Sequence, residues 1–248
     1  MSRVSAYIRR DMRSIDGWLH PTSAAAIAEL GGGGNAAEIG VHHGKLLILL
    51  SLLCDHAYAI DVFDASRNID GSGDGNREIF EANVRRYGGA CTTIQTDSAL
   101  LAPERLPPIR IFSVDGAHTA DMTEHDLRLA SRVLVHGGVV ILDDYFNEQW
   151  PDVSVGANRV IGDGTLAPFA ITPGKVLLTN GDSAEWLERL ARSPAFHSFR
   201  EMAGRRVAWL VPPRRAALSR VLRWPLYRAI KDRAWFAPLK RAGRRMVG

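Results

Sequence analysis

The chain has 248 residues, of which 46% are hydrophobic and 23% charged, and its formal net charge at pH 7 is +4. This length and composition predict one globular domain of about 200 residues with extensions. The longest strongly apolar run, Leu46–Cys54, is too short to cross a bilayer, which argues against a membrane-spanning segment.

Two features predict a reducing compartment. The first thirteen residues carry four arginines and lack the apolar stretch of a signal peptide. Cys54 and Cys91 stand apart without metal-ligand spacing, so we expect reduced core residues rather than a disulfide. Together these features favour a cytoplasmic protein.

The N-terminal residues 1–34 are expected to form a helical cover. Residues 5–16 have helical character, and the step into Pro21 marks a helix boundary. Thr22 or Ser23 can then cap a second helix over residues 24–30. We expect these helices to cover the active-site side of a sheet.

A glycine turn follows the first predicted strand, residues 36–40, and precedes a helix over residues 46–53. Gly40 and Gly44 allow the backbone to approach a ligand closely at the N-terminus of that helix. The turn differs from the dinucleotide fingerprint G-x-G-x-x-G, because His42 stands where the second glycine would be. Taken alone, the turn fits an ordinary strand-to-helix connection equally well.

The second predicted strand, residues 58–61, ends in Asp61 about 20 residues after the turn, a distance that suits a carboxylate bound to ribose hydroxyls. A polar, glycine-rich loop over residues 68–76 follows it. A helix over residues 77–87 and a strand over residues 91–95 lead to Asp97 and Ser98.

Residues 109–145 are predicted to form a strand, a helix and a second strand. The apolar run 109–114 stops at Asp115. The helix is expected to end at Gly137-Gly138, and the next strand, residues 139–142, leads into Asp143 and Asp144. Because parallel strands end at one edge of a sheet, the three carboxylates should lie together, where a divalent cation would relieve their repulsion. Turn capping by these residues is the simpler alternative.

The remaining elements complete the sheet. An aromatic and polar loop, residues 146–151, precedes a helix near residues 153–161. Strands are predicted over residues 169–172 and 175–179, a helix over residues 184–191, and a final hairpin from residues 199–202 and 206–211. The pattern predicts an α/β fold: a Rossmann-like, doubly wound, mostly parallel sheet with helices on both faces and an antiparallel C-terminal edge.

The ordered set of strand ends resembles the class I S-adenosylmethionine-dependent methyltransferases. The resemblance rests on AEIGVHHGK (37–45), YAIDVFD (58–64), TDSALL (96–101), FSVDGAH (112–118) and HGGVVILDDYF (136–146). It covers roughly residues 17–212 and is strongest for the branch of metal-dependent, macrocin-type sugar O-methyltransferases. It implies a methyltransferase domain over residues 35–212, S-adenosylmethionine as cofactor and a divalent metal, with magnesium expected.

The resemblance also assigns residue roles. Gly40 and Gly44 would cradle the methionine end of the cofactor, with Glu38 setting the loop and Asp61 holding the ribose. The remaining assignments place Asp97 and Ser98 against the adenine, Asp115, Asp143 and Asp144 on the metal, and His118 as the general base beside Asp115.

These roles predict a divalent-metal-assisted O-methyltransferase acting on a hydroxyl of a sugar, a glycan or another small molecule. Methyl transfer requires an oxygen nucleophile in line with an electrophilic methyl group, and a metal ion lowers the pKa of that hydroxyl. His118 would take the proton near neutral pH, although it could instead only stabilise its turn. A nicotinamide-dependent oxidoreductase and a membrane-tethered, non-catalytic scaffold are the alternatives; the sequence leaves homo-oligomerisation open.

The positive charge is concentrated at the C-terminus. Residues 213–248 contain eleven Lys/Arg and one acid, so this tail carries +10 and residues 1–212 carry −6. Large apolar side chains such as Trp224 and Phe236 stand between its basic residues. The sequence leaves three alternatives open for the tail: it binds an anionic membrane surface, it binds nucleic acid, or it packs onto the fold. The aromatic residues favour the inner face of the membrane, and no nucleic-acid motif accompanies the charge.

Overall fold

The computed structural model describes residues 2–64, 66, 73 and 75–213. The helices are α1 (Arg3–Arg9), α2 (Pro21–Glu29), α3 (Lys45–Leu53), α4 (Arg77–Tyr87), α5 (Ala120–Val133), α6 (Pro151–Gly162) and α7 (Ala184–Ala191). The strands are β1 (Asn35–Ile39), β2 (His56–Asp61), β3 (Cys91–Gln95), β4 (Ile109–Val114), β5 (Leu134–Asp143), β6 (Ala167–Thr172), β7 (Lys175–Thr179), β8 (Phe196–Met202) and β9 (Arg205–Leu210). Short 3₁₀ turns occupy Asp11–Ser14, Ser98–Leu100 and Pro103–Arg105.

The nine described strands form one sheet in the order β3-β2-β1-β4-β5-β7-β6-β9-β8. The first five pair in parallel, whereas β7 runs antiparallel to both β5 and β6. The chain order reverses between β1 and β4, and ligands of open α/β sheets bind in the crevice at such a reversal. The predicted fold class, including its antiparallel C-terminal part, is confirmed.

Each face of the sheet carries an apolar core. One core joins α1, α2, α3 and α7 to the sheet, and fully buried Ile48 and Phe80 belong to it. The other lies between the sheet and α5 and α6, around Phe112 and Leu127. The near-continuous apolar sequence of β4 and β5 follows from burial on both faces.

The N-terminal helices pack against the first of these cores. The Tyr7 hydroxyl donates to the carbonyl of Lys45 at 2.6 Å, and Ser23 Oγ donates to the carbonyl of Pro173 at 2.7 Å. Helix α2 begins one turn earlier than predicted, and its cap is neither Thr22 nor Ser23. The imidazole of His20 accepts the N–H of Thr22 at 3.0 Å instead, and Pro21 fills the first helical position.

The prediction that Gly137 and Gly138 end a helix is wrong, because both glycines lie inside β5. Helix α5 already ends at Val133, and β5 starts at the next residue. Gly137 has φ +71°, and its N–H donates to Asn180 Oδ1 at 2.9 Å. The register between β4 and β5 shifts here, so the two glycines form a bulge that the sequence pattern cannot distinguish from a helix end.

Cys54 and Cys91 are free thiols, as expected. Within the described residues, no helix has the length and apolar character needed to span a bilayer. The prediction of a membrane-binding tail falls on residues beyond 213, outside the described part of the chain.

Candidate active site

A cleft of about 560 Å³ opens at the carboxyl ends of β1, β2, β4 and β5. The turns after these strands line it, together with the start of β7 and the segment before α2. The lining includes all but one of the predicted site residues: Glu38, Gly40, Asp61, Asp97, Ser98, Asp115, His118, Asp143 and Asp144. Gly44 is the exception.

The glycine turn brings β1 against the end of β4. Gly40 has φ +79°, and a Cβ added there would lie 1.7 Å from the carbonyl oxygen of Asp115, so a side chain is excluded. Gly44 has φ +85° and faces Phe80 of α4, where an added Cβ would approach the ring to 3.0 Å. Gly40 therefore shapes the cleft, while the structure places Gly44 in the packing between α3 and α4.

Asp61 organises the same turn through both carboxylate oxygens. Oδ2 accepts the N–H groups of Val41 at 2.9 Å and His42 at 3.2 Å, and Oδ1 accepts the N–H of Phe63 at 2.8 Å. Asp61 faces the cleft, where its remaining lone pairs can accept from ribose hydroxyls.

Glu38 is the buried acid at the base of the cleft, with 3% of its surface exposed. Its Oε2 atom has no hydrogen-bond partner among the described residues. Burial raises the pKa of Glu38 well above its usual value, and the charge of Asp115 adds to the rise. Since an unsatisfied buried carboxyl is costly, this atom marks a place where a ligand cation or N–H donor would be stabilised.

Asp97 and Ser98 form the rim after β3. Asp97 Oδ1 accepts the N–H of Ala99 at 3.0 Å and caps the 3₁₀ turn that contains the buried Ser98. Both residues line the cleft on the side away from the carboxylates of β5.

Asp115, His118 and Asp144 converge at the other end. His118 Nε2 lies 3.3 Å from Asp144 Oδ2 and 3.7 Å from Asp115 Oδ1. One ligand atom from each residue lies within 4.8 Å of the others, which suits a metal ion. The imidazole also stacks on Trp150, with ring centroids 4.5 Å apart and planes 14° from parallel.

Asp143 lies beside this group but faces Lys175. Asp143 and Lys175 are register partners across β5 and β7, and the Lys175 ammonium donates to Asp143 Oδ2. Asp143 Oδ1 accepts the N–H of Asp144 at 3.0 Å. The structure therefore brings Asp115, Asp143 and Asp144 to one end of the cleft as predicted, and it adds His118 to them.

Burial and neighbouring charges together shift the pKa values of Asp143, Asp115 and Lys175. Burial raises the pKa of Asp143 well above its usual value, and the nearby charge of Asp115 reinforces this. Burial also raises the pKa of Asp115, but the hydrogen bond to His118 and the charge of Lys175 outweigh it, and the pKa is lowered. For Lys175, burial is outweighed by Asp143 and Asp115, which raise its pKa and keep it charged.

The segment before α2 forms a wall of the cleft that the sequence did not predict in detail. Trp18 is 77% exposed and stacks on His42 at 5.8 Å between ring centroids. Lys45 Nζ donates to the carbonyl of Gly17 at 2.6 Å and ties this wall to α3. His42 also lies 3.7 Å from Asp16.

Lys175 and this wall are functional candidates that the sequence reasoning missed. A lone lysine opening the otherwise apolar strand KVLLT was a usable signal for Lys175, because a buried lysine requires a partner. For Trp18 no such signal exists, since its position depends on how the N-terminal helices pack.

The residues of the cleft fit both S-adenosylmethionine and a divalent cation, the two groups that the sequence resemblance implies. The unsatisfied Glu38 Oε2 suits the ammonium of S-adenosylmethionine, and the open backbone at Gly40 gives the close approach that its methionine end needs. The carboxylates of Asp115 and Asp144 offer oxygen ligands that hard divalent cations accept, and the imidazole of His118 lies beside them.

Comparisons with known proteins agree with this geometry. Residues 37–145 match the sequence model of the family described as a methyltransferase domain. No curated protein sequence matches the chain significantly.

Solved structures share the fold, and two methyltransferases are among them. The O-methyltransferase NovP has 16% identity and a TM-score of 0.52, covering 73% of this chain and 80% of its own. The calicheamicin methyltransferase CalS11 has 17% identity and a TM-score of 0.50, covering 72% of this chain and 83% of its own.

The sequence match spans the turns after β1, β2, β3, β4 and β5, which build the cleft. Residues 37–145 are therefore similar to the methyltransferase-domain family, and the fold is the one that the two solved methyltransferases share.

Proposed function

We propose that this enzyme transfers a methyl group from S-adenosylmethionine to a hydroxyl oxygen of a sugar, a glycan or another small molecule, assisted by a divalent cation. The observation that carries the proposal is the division of one cleft into two ends. Glu38, Gly40 and Asp61 form an end suited to the cofactor, and Asp115, Asp144 and His118 form an end suited to a hydroxyl acceptor.

At the cofactor end, Glu38 would accept the ammonium and Asp61 the ribose hydroxyls. Ser98 and Asp97 would lie along the adenine. The cofactor supplies a methyl group that is already electrophilic, because it is bound to a sulfonium. The chief task of the protein is therefore to hold an acceptor oxygen in line with that methyl group.

At the acceptor end, Asp115 and Asp144 would hold the cation, which lowers the pKa of a bound hydroxyl. His118 Nε2 would take the hydroxyl proton. Trp150 fixes the imidazole plane by stacking, and Asp144 lies close enough to stabilise the imidazolium that forms. Because one face of the Trp150 ring lies against His118, an acceptor that stacks on this ring would use the opposite face.

Oxygen as the methylated atom is supported by the acid and imidazole groups at the acceptor end. NovP is described as an O-methyltransferase and CalS11 as a calicheamicin methyltransferase, which agrees with this choice. The nicotinamide alternative is disfavoured because His42 occupies the position of the second fingerprint glycine.

Titration calorimetry with S-adenosylmethionine, followed by transfer of a labelled methyl group to a panel of hydroxylated acceptors, tests the proposal. Cofactor binding with label incorporated through an ether linkage supports it. Folded protein that binds no S-adenosylmethionine, or that methylates only nitrogen or carbon, contradicts it.

The tail proposal concerns where this activity takes place. A tail of charge +10 joined to a body of charge −6 would bind an anionic membrane surface, because each basic residue near such a surface contributes about 1 kcal/mol. The enzyme would then act at the inner face of the membrane, close to lipid-linked glycans.

A further inference from the structure

The described lining of the cleft contains many acids but only two lysines and no arginine, and the lysines are Lys45 and Lys175. Lys175 is buried against Asp143 and donates to its carboxylate. Lys45 is the first residue of α3, directly after the glycine turn. Among the described residues, Lys45 is therefore the lysine of the cleft that remains for a ligand.

The ammonium of Lys45 is only partly used by the protein. Its hydrogen bond among the described residues goes to the carbonyl of Gly17 at 2.6 Å, and no described carboxylate forms an ion pair with it. An ammonium has three N–H donors, so two of them are available to a ligand. Burial lowers the pKa of Lys45, and the charge of Asp16 opposes this. An anionic ligand would stabilise the charged form further.

Lys45 and Glu38 belong to the same end of the cleft. The Tyr7 hydroxyl donates to the carbonyl of Lys45, and its pKa is raised by burial and then by the charge of Glu38. Helix α3 also presents its N-terminus here, because Gly44 caps it without a side-chain hydrogen bond. The free N–H groups of a first helical turn favour an anion. Glu38 Oε2, without a hydrogen-bond partner among the described residues, independently marks this end as a ligand site.

We propose that Lys45 binds the carboxylate at the methionine end of S-adenosylmethionine, together with the N-terminus of α3, while Glu38 takes the ammonium on the same carbon atom. Lys45 keeps its bond to the carbonyl of Gly17, so the bound carboxylate also fixes the wall that carries Trp18. This inference rests on the proposed function, since it concerns the cofactor of the same cleft.

The charges of the cofactor explain why such a cation is needed. The methionine end carries an ammonium and a carboxylate, and Glu38 can serve only the ammonium. A carboxylate that entered this acidic cleft without a cation would lose hydration and be repelled by the acids of the lining. Two open N–H donors of Lys45 would offset this, because hydrogen bonds between charged groups are the strong ones.

Titration calorimetry of the full-length protein tests the proposal with two ligands, S-adenosylmethionine and decarboxylated S-adenosylmethionine, which lacks only the carboxylate. We expect the unchanged protein to bind S-adenosylmethionine about 10- to 100-fold more tightly, as charge-assisted hydrogen bonds would give. In Lys45→Met the affinity for S-adenosylmethionine should fall by about tenfold or more. The affinity for the decarboxylated compound should not fall, because Lys45 makes no bond to it.

Two further variants serve as controls. Lys45→Arg keeps the charge and the N–H donors, so it should retain most of the preference for the carboxylate. Arg132→Met is the matched control, because Arg132 is an exposed cation on α5 and lies outside the cleft. It should bind both compounds like the unchanged protein. If Lys45→Met weakens the binding of both compounds equally, Lys45 only supports the wall through Gly17, and the proposal is wrong.

Hydrogen exchange of the wall tests the link through Gly17. At equal saturation, S-adenosylmethionine should protect the amides of residues 16–19 more than the decarboxylated compound does. Lys45→Met should remove this difference. Equal protection by the two compounds in the unchanged protein would contradict the link between the carboxylate and the wall.

A crystal structure of the unchanged protein with S-adenosylhomocysteine, the demethylated cofactor, decides the question even if Lys45→Met fails to fold. Its carboxylate should lie within hydrogen-bond distance of Lys45 Nζ, and a carboxylate bound elsewhere overturns the inference. Protein that binds S-adenosylmethionine no better than the decarboxylated compound overturns this inference alone. Folded protein that binds neither S-adenosylmethionine nor S-adenosylhomocysteine overturns the proposed function.

Discussion

The two ends of the cleft hold their acids in different ways. At the cofactor end, Asp61 is fixed by three backbone N–H groups, and Glu38 is buried with one oxygen left without a partner among the described residues. At the acceptor end, Asp143 and Asp144 are held mainly by side chains, those of Lys175 and Asn147. The sequence pattern is the same at both ends, an acid at a strand end, but the environment gives each acid a separate task.

This difference has a chemical consequence. A carboxylate fixed by backbone amides contributes a rigid wall, which suits a cofactor of constant shape. Carboxylates held by side chains leave room for a cation and an exchanging acceptor. Substitutions at the two ends should therefore change different measured quantities.

The largest effect is expected at His118. Replacement by Asn removes the group that takes the hydroxyl proton, and general bases contribute about 10²- to 10⁴-fold to rate. We expect kcat to fall in that range, while the Kd for S-adenosylmethionine changes little because His118 lies at the acceptor end. Single-turnover kinetics and calorimetry check the two quantities. If the variant has an unchanged kcat, His118 is not the base and only stabilises its turn.

Asp144→Asn should abolish metal-dependent turnover while leaving cofactor binding largely intact. Its carboxylate is a proposed ligand. Loss of a group that only orients a metal ligand already costs about 10- to 100-fold in affinity, so loss of the ligand itself should cost at least as much. Chelator-treated protein provides the comparison, since the variant should resemble it. Equal activity of the unchanged protein in excess chelator would remove the cation from the mechanism.

Glu38→Gln probes the opposite end. A charge-assisted hydrogen bond contributes about 1.5–3 kcal/mol, so the affinity for S-adenosylmethionine should fall by about 10- to 100-fold. Mn²⁺ binding should be far less affected. If instead both ligands are lost in parallel while the protein stays folded, the two ends of the cleft are not separate sites.

The ionisation of Glu38 predicts that the affinity for S-adenosylmethionine depends on pH. Burial, reinforced by Asp115, raises the pKa of Glu38, so the carboxyl is protonated in the empty cleft at pH values below that raised pKa. The cofactor ammonium favours the ionised form, so binding must release a proton and the affinity should increase as pH rises, levelling off above the raised pKa. Calorimetry in buffers of different ionisation enthalpy would detect the released proton. In Glu38→Gln this dependence should disappear.

The sequence predicted most of the fold because its strands are apolar runs that stop at acids or glycines. The helix Arg77–Tyr87 and the strands Cys91–Gln95 and Ile109–Val114 have the predicted bounds. Gly137-Gly138 was misinterpreted because a bulge and a helix end have the same local composition, and only pairing with β4 and Asn180 separates them.

The sequence predicted where the acids of the site lie, but it did not predict which side chains they contact. Strand ends place Asp115, Asp143 and Asp144 at one edge, as the crevice rule requires. That Asp143 belongs to Lys175 follows from the antiparallel register of β5 and β7, which brings together residues 32 positions apart. The Trp18 wall likewise depends on the docking of α1 and α2, a packing outcome that local sequence does not encode.

The smallest effect on the cleft is expected from removal of the tail. Truncation after Val211 should preserve S-adenosylmethionine binding, because the cofactor motifs lie before residue 146 and the last strand of the described residues ends at Leu210. It should abolish co-sedimentation with anionic vesicles at low salt, since it removes a charge of +10 and leaves a body of charge close to −6. Neutral vesicles and high salt are the controls, because screening weakens the attraction. If the full-length chain ignores anionic vesicles and the truncated chain unfolds, the tail packs onto the fold and the membrane proposal is wrong.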